Sequence, residues 1–352
     1  MSTGASTVAG SGPAALPPRP RTATCTGTWT APWTASGVPA ALRGASVNLR
    51  GASESLRGVS ENLPVVARQV GEDLRRLATV RGMRGAAVEA AWVAAHLSMY
   101  PWGVVKDRKE PPERYDLADL APHQRGLVLG DVEAAGTPIL LVHGMLDNRA
   151  IFAVLRRGLK RRGFGRVFTI NYSPLTNDIR SAARDLSGAI EELAARTGYE
   201  RIHLVGHSLG GLIARYYVQR LDGSQRVHTL VTLGTPHAGT WPAYGIPVQL
   251  CRQLRPGSEL YAELDLPTPG CRTRFVAYWS DLDQLVIPHA NGRMDHPDLT
   301  IRNVHVRGVG HLSLPIQGDV VRDIAQLLSQ LDPDGTTVRA GVTALPAQDA
   351  TG

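Results

Sequence analysis

From about residue 125, short apolar runs alternate with segments whose apolar residues recur at helical spacing. Six such runs are predicted to be strands: 138–143, 167–172, 201–205, 227–233, 274–279 and 300–306. The first of them, Pro138–His143 (PILLVH), is a continuous apolar run, which is typical of a strand buried on both faces of a parallel sheet. The helical segments between them indicate right-handed βαβ connections. The pattern therefore predicts an α/β fold with a mostly parallel central sheet and helices on both faces.

Helices with one apolar face each are predicted after four of these strands. They cover residues 151–159, 179–193, 209–217 and 320–331. For the second of them, Asn177 or Thr176 is the predicted N-cap and Gly198 follows the C-terminal end. The resulting α/β domain is predicted to span residues 111–334, and 335–352 to be a tail.

The chain before this domain has a different pattern. Residues 1–40 are rich in Ser, Thr, Gly, Ala and Pro, and leucine then recurs every seventh residue from Leu42 to Leu63. A glycine in each repeat disfavours helix, so low-complexity chain is favoured over a membrane-surface helix. Residues 1–85 are therefore predicted to be a basic, low-complexity region that is disordered in large part.

An apolar segment, 86–105, follows and approaches the ~20 residues that span a bilayer. Glu89, His96 and Pro101 oppose spanning because charged and helix-breaking residues are costly in hydrocarbon. We predict an apolar helical segment at 86–110 that packs on the α/β domain. Peripheral contact of residues 41–105 with a membrane is the alternative.

Charge is concentrated at the N-terminus. The chain has a net charge of +7, and residues 1–110 contain 13 Lys or Arg against 7 Asp or Glu. No nucleic-acid-binding motif accompanies this basic region, so no nucleic-acid partner is predicted. Residues 1–20 lack the pattern of a signal peptide, which favours a cytoplasmic or membrane-associated protein over a secreted one. The sequence leaves the oligomeric state open.

The three cysteines are Cys25, Cys251 and Cys271, too few for a disulfide scaffold. None has the spacing of a metal site, so neither a metal nor a cofactor is predicted. A bridge between Cys251 and Cys271 stays open for an exported protein.

The most informative motif is Gly206-His207-Ser208-Leu209-Gly210, a G-x-S-x-G match between a predicted strand and a predicted helix. The sharp turn needs small residues beside the serine, which Gly206 and Gly210 provide. It lifts Ser208 above the carboxyl end of the sheet and leaves the Leu209 amide at a helix N-terminus, where it can donate to an oxyanion. Ser208 is therefore the predicted nucleophile, and His207 is expected to point away from it.

A serine nucleophile needs a general base, and His311 lies just after the last strand, where it can reach Ser208. Asp283, which follows the fifth strand, is the predicted acid because the chain order is then serine, acid, histidine. Asp281 stays open because the end of a predicted strand is uncertain by two residues. Met145 follows the first strand and is the predicted second oxyanion amide.

Together these residues resemble bacterial triacylglycerol lipases and related esterases of the α/β-hydrolase superfamily. The resemblance is carried by VHGM at 142–145, VGHSLGG at 205–211, LGTPHAGT at 233–240, the Asp283 segment and GVGH at 308–311. It implies a triad of Ser208, Asp283 and His311, with Met145 and Leu209 as oxyanion amides. The implied substrates are small-molecule or lipid esters, cleaved through an acyl-enzyme without a cofactor.

Several alternatives stay open. The insertion at 238–270 fits either a small cap or lid over an acyl pocket or a packed pair of connecting helices. Acyl transfer and thioester hydrolysis would use the same site. An alternative of another class is a catalytically idle, membrane-associated interaction module, against which the complete triad in the expected order argues.

Overall fold

The computed structural model describes residues 49–105, 137–145, 149–170, 178–329 and 341–344. What the sequence predicts for residues 1–48, 106–136, 330–340 and 345–352 lies outside the described residues.

Seven strands, all parallel, form a central sheet in the order β2–β1–β3–β4–β5–β6–β7. Their bounds are β1 Ile139–Val142, β2 Val167–Ile170, β3 Ile202–His207, β4 Val227–Leu233, β5 Arg274–Ser280, β6 Thr300–Val306 and β7 Gly341–Ala344. The six strands predicted from the sequence are all present, and the predicted parallel α/β sheet is confirmed. β7 is a correction, because it lies in the predicted tail and pairs with the edge of β6.

Eight α-helices are described. They are α1 Leu49–Leu77, α2 Val80–Val105, α3 Ala153–Lys160, α4 Ile179–Thr197, α5 Leu209–Arg220, α6 Gln249–Gln253, α7 Glu259–Leu264 and α8 Gly318–Leu328. The predicted N-cap of α4 was wrong by one or two residues: Asp178 is the cap, and its carboxylate accepts a hydrogen bond from the Ser181 amide at 3.0 Å. Gly198 ends α4 as predicted, in the left-handed conformation at φ 73°.

The hydrophobic core lies on both faces of the sheet. Along β1, Leu140 and Val142 belong to a cluster with α4 and α5, whereas Ile139 and Leu141 belong to a cluster with α3 and α8. Alternate residues of a strand point to opposite faces, so this division places helices on each side. The continuous apolar run of β1 follows from this double burial.

The N-terminal helices differ from the prediction. Residues 49–85 were expected to be largely disordered, but α1 occupies 49–77 and α2 begins at Val80. Glycine costs about 1 kcal/mol in a helix interior, and packing of the two helices on each other and on the α/β domain offsets it. In the part of the chain that the structure describes, no helix is long and apolar enough to cross a membrane.

The insertion after β4 forms short helices, α6 and α7, that pack on the domain. Gln253 accepts a hydrogen bond from the Ile179 amide at 2.9 Å, and Glu263 pairs with Arg180. Residues 249–264 are therefore packed against α4 through these contacts. Cys251 and Cys271 are both free thiols, so no bridge joins them.

Candidate active site

Ser208 lies at the sharp turn between β3 and α5, at the carboxyl end of the sheet. Its backbone has φ 54° and ψ −124°, an unfavourable conformation for a residue with a side chain. The turn is fixed to the end of β4, because the Ser208 amide donates to the Leu233 carbonyl at 2.8 Å and Thr235 Oγ1 donates to the Ser208 carbonyl at 2.9 Å. Such local strain persists only where surrounding contacts enforce it, and it clusters at functional sites.

The glycines around Ser208 allow backbone segments to approach closely. A Cβ atom at Gly206 would lie 2.4 Å from the Gly211 Cα, and one at Gly210 would lie 2.2 Å from the Val142 carbonyl oxygen. Any side chain at either position would push α5 away from β1 or β3. The two predicted glycines of the turn are therefore required by packing.

His311 and Asp283 form a buried pair beyond the ends of β5 and β6. His311 Nδ1 lies 2.9 Å from Asp283 Oδ1 and 2.8 Å from Oδ2. Asp283 Oδ1 also accepts hydrogen bonds from the amides of Leu285 and Val286. Burial by itself raises the pKa of Asp283, but the charge of His311 and these hydrogen bonds outweigh it and hold the pKa below its ordinary value. The carboxylate is thus kept ionised next to the imidazole.

Asp281 has different partners. Its Oδ1 accepts a hydrogen bond from the Gly308 amide at 2.7 Å, and its Oδ2 lies 3.7 Å from His305 Nε2. The structure therefore places Asp283 on His311 and uses Asp281 in the adjacent turn.

Gly234, directly after β4, lies against the Asp283–His311 pair and was not singled out from the sequence. It has φ +57°, and a Cβ atom there would lie 2.9 Å from Asp283 Oδ2 and 3.1 Å from His311 Nδ1. Its position in the LGTPHAGT segment was the only signal that could have indicated this role.

Other histidines near the site hold the backbone. His207 is buried, and its Nε2 donates to the His311 carbonyl at 3.1 Å, consistent with the expected orientation away from Ser208. His143 Nδ1 donates to the Gly144 carbonyl at 2.9 Å.

The amides predicted for an oxyanion hole belong to Leu209 and Met145. Leu209 is the first residue of α5, and the first N–H groups of a helix have no partner within it. The Gly144 carbonyl is turned onto His143, so the planar trans peptide directs the Met145 N–H the opposite way. Both amides thus follow the carboxyl ends of neighbouring strands, β3 and β1.

A parallel sheet with a serine turn after its third strand, a carboxylate after the fifth and a histidine after the sixth is the architecture of the α/β-hydrolase fold. Among the residues that the structure describes, no group of three His, Cys, Asp or Glu side chains could hold a metal ion.

Comparisons with known proteins agree with this class. Residues 137–245 match the family model described as the α/β hydrolase fold. Proteins named triacylglycerol lipase from Pseudarthrobacter phenanthrenivorans and Burkholderia plantarii are each 31% identical over 111 residues, which cover 29% of this chain. The match spans about a third of those relatives, 34% and 30% of their lengths.

The crystal structure of mature Bacillus licheniformis lipase BlEst2 superposes with a TM-score of 0.47 and 18% identity, covering 56% of this chain and 93% of that one. Residues 137–245 are thus similar to proteins with the α/β-hydrolase fold, and the two sequence relatives are proteins named triacylglycerol lipase.

Proposed function

We propose that this protein hydrolyses carboxylic esters, including lipid esters, through an acyl-enzyme formed on Ser208. The observation that carries the proposal is the buried Asp283–His311 pair, beyond the strands that follow the strained Ser208 turn. A hydroxyl is a weak nucleophile unless a base accepts its proton, and an oriented imidazole is the base that serine hydrolases use.

In the acylation step, His311 Nε2 accepts the Ser208 hydroxyl proton while Oγ attacks the ester carbonyl carbon. Nε2 is the reacting nitrogen because Nδ1–H donates to Asp283. The carbonyl oxygen becomes an oxyanion, and the Leu209 and Met145 amides donate hydrogen bonds to it. When the tetrahedral intermediate collapses, the C–O bond to the alcohol breaks and His311 returns the proton to the departing alkoxide.

In the deacylation step, His311 removes a proton from water, whose oxygen attacks the acyl carbon. The bond to Ser208 Oγ then breaks, Oγ regains the proton from His311, and the carboxylic acid leaves. The ionised Asp283 stabilises the imidazolium that forms in both steps.

Hydrolysis of p-nitrophenyl esters from C2 to C16 by wild type and Ser208→Ala tests the proposal. We expect Ser208→Ala to lower kcat by about 10⁶-fold, as loss of the nucleophile does in serine hydrolases. His311→Gln should be similarly impaired, whereas His305→Gln, which alters a histidine stacked on Trp279 at 4.1 Å, should retain activity.

Wild type that cleaves no ester at any chain length would contradict the proposal. Labelling of Ser208 by a fluorophosphonate would then separate an inaccessible ester pocket from an idle scaffold. Acyl transfer would appear as an ester product when an alcohol is added.

We further propose that the N-terminal helices contact an anionic lipid surface. Leu63 and Leu74 are 59% and 63% exposed on one face of α1, and Val80 at the start of α2 is 80% exposed. Arg68, whose side chain is 85% exposed, and Arg75 are exposed on the same helix, about a third of a turn around its axis from Leu63 and Leu74. A helix surface that exposes both apolar side chains and cations fits an interface with anionic headgroups.

Co-sedimentation with phosphatidylcholine vesicles, with and without phosphatidylglycerol, tests this contact. The double variant Leu63→Ser/Leu74→Ser should bind anionic vesicles more weakly than wild type. Leu266→Ser removes a leucine that is 52% exposed elsewhere on the surface and should bind normally. Equal binding by all three proteins would exclude the α1 face as the contact.

A further inference from the structure

Glu89 of α2 reaches the backbone that follows His311. Its Oε1 accepts a hydrogen bond from the Leu312 amide at 2.8 Å, and its Oε2 accepts one from the Ser313 amide at 2.9 Å. The residue is only 8% exposed. A buried carboxylate is costly unless it is hydrogen-bonded, and here both oxygens are used on consecutive amides of one loop.

The same face of α2 lies against the loop before His311. A Cβ atom at Gly310 would lie 2.3 Å from the Glu89 Cδ, and a Cβ atom at Gly85, one helical turn earlier, would lie 2.1 Å from the Gly308 carbonyl oxygen. A side chain at Gly85 would displace the helix or the loop, and one at Gly310 would displace the Glu89 carboxyl. The position of α2 and that of the residues around His311 are therefore mutually fixed.

α1 makes a second connection, to the loop that carries the acid. Asp73 Oδ1 lies 2.9 Å from His289 Nε2, and His289 Nδ1 donates to the Val286 carbonyl at 3.0 Å. The Val286 amide is in turn one of the donors to Asp283. The two N-terminal helices thus contact both loops that hold the Asp283–His311 pair.

We infer that Glu89 is a positioning residue for His311. It does not reach the reacting atoms. Its two hydrogen bonds hold the backbone after His311, so that the imidazole stays aligned between Asp283 and Ser208. Sub-ångström misalignment of a catalytic base slows the reaction even when the substrate still binds, because the barrier depends on geometry at the reacting atoms. The inference rests on the proposed function and adds the N-terminal helices to the catalytic apparatus.

Three full-length variants test the role. Glu89→Gln leaves one acceptor oxygen and turns an NH₂ donor toward the second amide. Glu89→Asp keeps both acceptor oxygens but is one methylene shorter. Glu191→Gln is the matched control, because Glu191 also accepts two hydrogen bonds, at 2.8 and 2.7 Å from Arg226, at a surface site on α4.

The readouts are kcat and KM for the best p-nitrophenyl ester, and hydrogen exchange of the peptide that covers residues 308–316. For Glu89→Gln we expect kcat to fall by about 10²-fold with KM nearly unchanged, together with faster exchange of that peptide. Glu89→Asp should recover part of kcat, and Glu191→Gln should match wild type in both measurements. If Glu89 only stabilised the fold, Glu89→Gln would lower the unfolding midpoint but would not lower kcat at a nearly unchanged KM.

Wild-type kcat and wild-type exchange in Glu89→Gln would overturn the inference. A wild-type protein that cleaves no ester and does not label at Ser208 would instead refute the proposed function, and the exchange measurement would still report whether Glu89 holds the loop. If Glu89→Gln fails to fold, Glu89→Asp gives the same comparison. A kcat for Glu89→Asp equal to wild type, with no faster exchange, would then count against the inference.

Discussion

Substitution of Gly234 by alanine separates positioning of the Asp283–His311 pair from stability of the fold. The added methyl group has two consequences. At φ +57° it places an L-residue in the left-handed region, which costs about 1–2 kcal/mol. It also lies 2.9 Å from Asp283 Oδ2 and 3.1 Å from His311 Nδ1, so both side chains must shift by a few tenths of an ångström.

Gly198→Ala isolates the first consequence. Gly198 has φ +73°, and no atom lies within 4 Å of the Cβ position. Both variants should therefore lose about 1–2 kcal/mol of unfolding free energy through backbone strain. Only Gly234→Ala should also lose catalysis, by about 10- to 100-fold in kcat, because only there does the methyl group displace His311 and Asp283.

Urea unfolding gives the stability of each variant, and hydrolysis of one p-nitrophenyl ester at saturating concentration gives kcat. An unchanged kcat in Gly234→Ala would refute the reasoning, since the methyl group would then be accommodated without moving the pair. An equal loss of kcat in both variants would also refute it, because backbone strain alone would explain the effect.

Further predictions concern the acid and the serine turn. Asp283→Asn should lower kcat by about 10⁴-fold, whereas Asp281→Ala should retain kcat and lose about 0.5–1.5 kcal/mol of stability with the hydrogen bond that Asp281 accepts from the Gly308 amide; esterase assays and urea unfolding distinguish the two. The pKa of Asp283 in the folded state lies below its ordinary value of 3.8, so the ionised carboxylate stabilises the fold at neutral pH and this contribution is lost as the pH falls through the folded-state pKa. The difference in unfolding free energy between wild type and Asp283→Asn should therefore shrink below about pH 4. Gly210→Ala should cost about 1–3 kcal/mol or more in urea unfolding, because its methyl group would lie 2.2 Å from the Val142 carbonyl oxygen.

Apolar patterning indicated the sheet most directly at β1, which is buried on both faces and carries the continuous apolar run Ile139–Val142. β4 and β6 have the predicted bounds, whereas β3 begins one residue later than predicted, at Ile202, and ends two residues later, at His207. The turn at Ser208 could also be predicted from the sequence, because it depends only on residues close together in the chain. These are a strand, a small residue on each side of Ser208 and the start of a helix.

Which of Asp283 and Asp281 pairs with His311 could not be predicted from the sequence. Both carboxylates follow β5 within three residues, and local propensity does not distinguish them. Only the tertiary structure places one on His311 Nδ1 and the other on the Gly308 amide. The β7 pairing and the packed helices of the insertion were decided in the same way, by contacts between distant segments.

The N-terminal helices show most clearly what could not be predicted from the sequence alone. The leucines and glycines that recur through 42–63 favoured low-complexity chain over a helix, because glycine lowers the helix propensity of the isolated segment. Glu89 entered the sequence analysis only as a charge that opposes membrane insertion. Its partners are more than 220 residues away in the chain, at Leu312 and Ser313. Short-range patterns of apolar and small residues thus determined the sheet and the turn at Ser208. Contacts between distant segments decided which carboxylate faces His311 and which residues hold that histidine in place, because such contacts exist only once the chain has folded.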